Sequence, residues 1–338
     1  MTTFILTLLL MLIMVEFDST IVSLLDRKIL AELDKNCRTP SAVIAKKVKK
    51  SRQTVDYRIA HLVESGVISS FVVSFNPHKM GYKLYKVYLK LRNIPEKKTS
   101  LLNFLRSSES IFWLGVCSGS WDLIFGVFAK SDYDFFNFKN KLIEDYSDLI
   151  LSEEGKLPVD IFQFSKMYFT GAKTEPLMFA GEIWQNSFEA LDYAIMQNIV
   201  NDARIPITLL SEKVGSTPRI VAARLKEMEK KGIIIQYRIG IDLSKIGLEL
   251  YKTIIRFDKY SEKEANKLLE YVSKIPNTQY LIRHMWDIEL EFAVKNNHGY
   301  YTIIESLEGE FPYVIRSIES VLMHTDEWGL GFNKILKK

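Results

Sequence analysis

The chain has 338 residues, 47% hydrophobic and 25% charged, with a formal net charge of +4. That length exceeds one ordinary domain and points to about two to four, and the composition is that of a globular protein, not a disordered or collagenous one. Two cysteines, Cys37 and Cys117, are too far apart for a CxxC motif, which excludes a zinc ribbon and a disulfide framework and fits a reducing, cytoplasmic setting.

Residues 1–20 open on an apolar stretch, FILTLLLMLIMV, without Lys or Arg. It lacks the positive n-region of a secretory signal and falls short of the roughly 20 residues a membrane span needs. We read it as an extension created by a mis-called start, with Met14 as the initiator. A membrane anchor is the competing reading; no membrane partner is expected.

The organising feature is an internal duplication. Aligning Asp26 with Asp192, an offset of 166, pairs Ile29/Ile195, Arg38/Arg204, Pro40/Pro206, Lys47/Lys213, Ser51/Thr217, Val55/Val221, Arg58/Arg224, Gly66/Gly232 and Tyr85/Tyr251 without a gap. One deletion later, Trp121-Asp122 matches Trp286-Asp287. In the first copy Leu25, Ile29 and Leu33 give one helix face. Pro40 opens a second helix, and Ser51 caps a third that turns Val55, Ile59 and Leu62 inward. Residues 21–75 are therefore read as a helix-turn-helix, and 188–242 as its repeat, with third helix Thr217 to Lys230.

Beyond each head the periodicity changes. Lys83 to Leu91 alternates as a strand, followed by a helix near Ser100 to Arg106, strands at Ile111 to Cys117 and Trp121 to Ala129, a helix from Asp132 to Tyr146, and a last strand near Pro158 to Phe164. That βαββαβ order predicts a ferredoxin-like domain over 80–168, a linker over 169–187, and a second such domain over 247–336. The fold class is α+β: two tandem units, each a winged-type helix-turn-helix followed by a ferredoxin-like domain.

The LDRKIL start, the R-x-P step at Arg38 and Arg204, and the run S-x3-V-x2-R-I-x2-L-x3-G-V-I from Ser51 to Ile68 resemble the Lrp/AsnC (feast/famine) transcription regulators. The resemblance covers nearly all of residues 21–335, and the repeat reads T-x3-V-x2-R-L-x3-M-x3-G-I-I from Thr217 to Ile234. It implies a sequence-specific regulator of double-stranded DNA. Members are single-unit chains that pair through their sensor sheets, so two units in one chain imply an intramolecular pseudo-dimer, open to further homo-oligomerisation.

Charge supports this. Residues 21–70 hold 10 cations against 5 anions, and 189–238 hold 8 against 6, so the first head is the stronger polyanion binder. The front of a recognition helix reaches base edges and cationic flanks hold phosphate. Arg52, Gln53 and Tyr57 are the base-reading candidates; Ser51, Thr54, Lys46, Lys47, Lys49 and Lys50 suit the backbone. Arg58, Thr217, Arg219 and Arg224 complete the DNA-contacting set, although Arg58 and Arg224 equally suit ion pairs within each head. In the second head Pro218, Ile220 and Ala223 replace polar positions, and Arg219 is the clearest reader.

The family implies a small amino-acid-like effector where sensor domains meet. The turn from Cys117 to Asp122 resembles its G-x-[aromatic]-D pattern, which nominates Gly119, Trp121 and Asp122; packing and turn-capping roles are the alternative. Five scattered histidines and the absence of a phosphate-cradling loop leave no catalytic constellation, no metal and no cofactor, so a non-enzymatic chain is expected. Two alternatives compete: a siroheme decarboxylase-like enzyme on an Lrp-like fold, for which Arg283-His284 is the one hint, and an interaction module with degenerate heads.

Overall fold

The computed structural model describes residues 17, 20–184, 186–200, 202–258, 261–328 and 336. Apart from Phe17 and Thr20, the stretch 1–20 with its expected start at Met14 lies outside the described residues. Among the described residues no helix is long and apolar enough to cross a membrane.

The first head contains α1 (Leu24–Lys35), α2 (Ser41–Val48) and α3 (Arg52–Glu64), followed by strand β1 (Ile68–Phe75). The second repeats it as α6 (Ala190–Ile199), α7 (Ile207–Lys213), α8 (Pro218–Lys230) and β8 (Ile234–Ile241). Hydroxyls cap both third helices: Ser51 accepts from the Thr54 N–H at 3.0 Å and Thr217 from the Ile220 N–H at 3.3 Å. Val55, Ile59 and Leu62, and in the repeat Val221, Leu225 and Met228, are the buried faces.

The strand that follows each third helix pairs across the heads: β1 runs antiparallel to β8, joining them in a two-stranded ribbon. The register sets Val72 opposite Arg238, which are equivalents in the duplication, so the pseudo-two-fold axis runs through that pair. Reciprocal braces flank it. The Cys37 N–H donates to the Tyr237 carbonyl at 2.8 Å and the Ala203 N–H to the Phe71 carbonyl at 3.2 Å. Arg38 lies over the Tyr237 ring and Arg204 over the Phe71 ring, each at 5.3 Å. The R-x-P arginines thus hold the two heads in one orientation. Cys37, beside this brace, is a buried free thiol whose pKa burial pushes up to about 12.

The sensor half of unit one comprises β2 (Lys83–Leu91), α4 (Pro95–Ser107), β3 (Ile111–Gly119), β4 (Leu123–Ala129), α5 (Asp132–Tyr146) and β5 (Ile150–Lys156), in the sheet order β5-β2-β4-β3. Unit two matches it with β9 (Glu249–Phe257), α9 (Glu262–Val272), β10 (Thr278–His284), β11 (Asp287–Val294), α10 (Asn297–Glu310) and β12 (Ile315–Met323), in the order β12-β9-β11-β10. The expectation that Pro158 to Phe164 closes the first sheet is corrected: Ile150–Lys156 does so, an exposed edge strand whose few apolar residues gave no signal. Strand β6 (Pro158–Gln163) instead crosses to pair with β10, while β12 runs on to pair with β3. These reciprocal crossings merge the halves into one 11-stranded sheet.

The stretch expected as a linker is also built in. Within 169–187, β7 (Leu177–Ala180) extends the sheet beyond β6. Asn76, at the end of β1, brackets Ala180, accepting from its N–H and donating to its carbonyl, both at 3.2 Å.

Helices α4 and α5 cover the outer face of the first sheet, α9 and α10 that of the second. The sheet bends so that the inner faces of the two halves meet, and between them lies a charged layer. Lys86 on β2 donates to Glu289 on β11 at 2.6 Å, Lys252 on β9 to Glu289 at 3.3 Å, and Lys156 to Asp287 at 2.6 Å; Tyr88 bonds Glu289 and Lys252 bonds Glu291. Lys252 also sits 4.3 Å from the centre of the Trp113 ring. Burial would raise the pKa of Glu289, but Lys86 and Lys252 outweigh it and hold the carboxyl well below its ordinary range.

Candidate nucleic-acid interface

Each head is assembled around a carboxylate–arginine brace. Ser23 caps α1, and Asp26 returns the bond by accepting from the Ser23 N–H at 2.9 Å. Asp26 is fully buried and receives Arg58 from α3 on both oxygens, Nε at 2.7 Å. Burial would raise the Asp26 pKa, but hydrogen bonds from Arg58 and Ser23 outweigh it, and the carboxyl titrates below its ordinary value. In head two Arg224 contacts Glu189, with Asp192 at 3.7 Å and Glu227 at 3.6 Å. Arg58 and Arg224 are therefore engaged within their own heads and do not stand free to meet DNA, because each helix packs its arginine over the preceding acid.

The remaining first-head candidates converge on one exposed surface. The last turn of α2 presents Lys46, the turn between α2 and α3 presents Lys49 and Lys50, and the cap and front of α3 present Ser51, Arg52, Gln53 and Tyr57, with Thr54 half-buried behind its cap. Arg52 reaches along the helix to Asp56 at 3.3 Å while staying 73% exposed. Lys47 is drawn aside to Glu32 at 2.5 Å. Lys49 closes the turn in the left-handed conformation, φ 55°, where the repeat has Gly215 at φ 64°. A lysine there is strained by roughly 1 kcal/mol relative to glycine. Thr217 and Arg219 are exposed at the corresponding surface of head two, beside an exposed Ile220.

The turn expected to bind an effector is occupied by the protein's own contacts. A side chain on Gly119, at φ 115°, would lie 2.5 Å from the Ser320 carbonyl oxygen of the neighbouring strand. Trp121 is buried with Nε1 donating to Glu319 at 3.3 Å, and Asp122 accepts from the Leu91 N–H at 2.9 Å and from Lys90 at 3.2 Å. Packing and turn-capping account for all three. In the repeat the turn is one residue shorter and Trp286 stands 80% exposed. Arg283 is paired with Asp160, and His284 is buried 3.8 Å from Glu289.

Reading the sequence for function missed the charged layer. Its signal was present: Lys86 and Lys252 recur at the repeat offset, and Glu289 and Glu291 share one parity of the otherwise apolar strand IELEFAV.

A family model described as winged helix-turn-helix DNA-binding matches residues 23–69 and 188–235, which are the two heads. The HTH-type transcriptional regulator LrpA of Pyrococcus horikoshii is 30% identical over 132 residues, covering 39% of this chain and 85% of its own. The chain belongs to the Lrp/AsnC family. Transcriptional regulator AzlB of Bacillus subtilis is similar at 27% identity over 139 residues, covering 40% of this chain and 88% of its own, so this Lrp/AsnC chain holds two units where each relative matches one. Over the whole length, the crystal structure of the siroheme decarboxylase NirDL superposes with a TM-score of 0.61 at 10% identity, covering 88% of this chain and 90% of that one. That likeness is one of fold, and it corrects the expectation of a non-enzymatic chain: an enzyme is built on the same two-unit scaffold, so this architecture is no bar to catalysis.

Proposed function

We propose that this Lrp/AsnC chain is a transcription regulator that binds duplex DNA with both heads at once, as a pseudo-dimer within one polypeptide. The observation that carries the reading is the β1–β8 ribbon: it relates two helix-turn-helix heads by a two-fold axis, as symmetric readers of DNA require. Arg52, Gln53 and Tyr57 enter the major groove in this reading, with Arg52 pairing guanine and Gln53 adenine. Lys46, Lys49, Lys50, Ser51 and Thr54 hold the phosphates; in head two Thr217 takes the place of Ser51 and Arg219 that of the reader Gln53. Gel-shift titration against the upstream region of its own gene, across salt concentrations, tests this. Arg52→Ala with Gln53→Ala is expected to lower preference for the cognate site by about 10-fold or more, at about 1–3 kcal/mol per bidentate pair. Lys46→Ala with Lys50→Ala is expected to weaken all sequences alike and to reduce the salt slope by about 0.9 for each phosphate no longer neutralised. Unchanged preference in the first variant overturns the assignment of readers; salt-independent binding overturns the interface.

A further inference from the structure

We infer that the two heads read unlike half-sites, and that the second recognises a thymine-rich one through apolar contact with the thymine 5-methyl groups. This rests on the duplex-binding reading above and deepens it.

The ribbon register makes the heads geometric equivalents about Val72 and Arg238, yet their reading surfaces differ. At the repeat offset Arg52 becomes Pro218, Thr54 becomes Ile220, Asp56 becomes Ala222 and Tyr57 becomes Ala223. All four replacements are at the surface, with Ile220 at 47% exposure. None is needed inside, since Val221, Leu225 and Met228 already fill the inner face of α8. The flanking cations are thinned as well: Lys46, Lys49 and Lys50 become Glu212, Gly215 and Ser216, while Lys213 is kept. Because Lys49 and Gly215 share the left-handed conformation, the turn keeps its shape as it loses charge.

The exposed apolar pair Ile220 and Ala223, one turn apart near the front of a capped recognition helix, has one matching chemical group in the major groove, the thymine methyl. The other base edges present donors and acceptors that Ile220 and Ala223 would desolvate without replacing, so the pair selects thymine by penalty as well as by attraction. Arg219 and Lys226 lie beside this pair on the exposed face and keep the surface suited to a polyanion. An operator of this kind has a direction, with head one supplying most of the salt dependence and head two the methyl reading.

The test is selection of bound duplexes from a random library by the full chain at fixed salt. Two unlike half-sites about one helical turn apart are expected, one of them thymine-rich. On the selected duplex, uracil for thymine in that half-site removes only methyl groups and is expected to weaken binding about fourfold per contacted methyl; the same exchange in the other half is expected to change it less than about twofold. Ile220→Ala, an exposed position whose thermal unfolding should match the parent, is expected to reduce the uracil sensitivity by about the fourfold of one contacted methyl, and Ile220→Asn to reduce it at least as much. Tight binding to two matching half-sites, or indifference to uracil in both, overturns this inference alone. If no duplex is retained, the regulator reading falls too. If Ile220→Ala leaves both duplex binding and the uracil sensitivity unchanged, Ile220 reads no methyl group and the inference fails.

Discussion

The two inner sheet faces descend from one sequence and now carry opposite charge. On unit one the face holds Lys86 and Lys156 with Tyr88 and Trp113. On unit two Lys252 is retained, but Ile124 and Gly126 of the first copy are replaced by Glu289 and Glu291, with Asp287 beside them. In a homodimer each face meets its own copy, so a lysine at the Lys86 position would oppose a second lysine across a buried two-fold interface. Fusion of two units in one chain removes that constraint. The faces can diverge separately, and a heterotypic, charge-matched layer becomes possible. The heads diverged the same way, one polar and cationic, the other apolar.

The largest expected effect tests the layer itself. Glu289→Leu leaves Lys86 and Lys252 buried with fewer partners and is expected to cost about 3–5 kcal/mol in urea unfolding. Adding Lys86→Met should recover much of that, because an apolar pair tolerates burial where a lone ammonium does not. If the double variant is as unstable as the single, Lys86 and Glu289 do not compensate each other's burial.

Next come the head braces. Asp26→Ala removes a fully buried, doubly bonded partner of Arg58 together with its share of the α1 capping box, and should cost about 2–3 kcal/mol. Asp192→Ala should cost about 1 kcal/mol, since Arg224 keeps Glu189 and Glu227. Because the Asp26 pKa is lowered on folding, its contribution is fully present above the unfolded value of about 4 and is lost as pH falls through the lower folded value. Acid titration of Asp26→Asn against the parent measures this; equal losses between about pH 4 and 2 would refute it.

The smallest effect separates the turns. Lys49→Gly should stabilise the chain by up to about 1 kcal/mol while lowering the salt slope of DNA binding by about 0.9. Gly215→Lys should do the reverse at similar size, as among the described residues no atom beyond its chain neighbours lies within 4 Å of the Cβ it would gain. A destabilised Lys49→Gly would show that the lysine is not strained.

Elements with strong local periodicity were legible from the residues alone. Val55, Ile59 and Leu62 at helical spacing, Ser51 as a cap, and the alternation KLYKVYLKL each announce their element. Strand β5 was not legible, because ILSEEGK lies at an exposed edge and needs no apolar face. Nor were the fates of Arg58, Arg224 and Asp122, since an arginine that binds phosphate and one that braces a helix share the same spacing. The cationic turn lysines and Arg52 were legible, because charge at a turn is a local property.

The duplication, the βαββαβ order and the cationic first head belong to the sequence itself, because repeats, periodicity and charge are carried by neighbours along the chain. The tertiary structure alone decided which strand closes each sheet, that β1 and β8 pair with each other, and that lysines and glutamates meet in the interior. Those outcomes depend on contacts between residues far apart along the chain, such as Lys86 and Lys156 or Lys86 and Glu289, whose pairing exists only once the strands and faces are brought together.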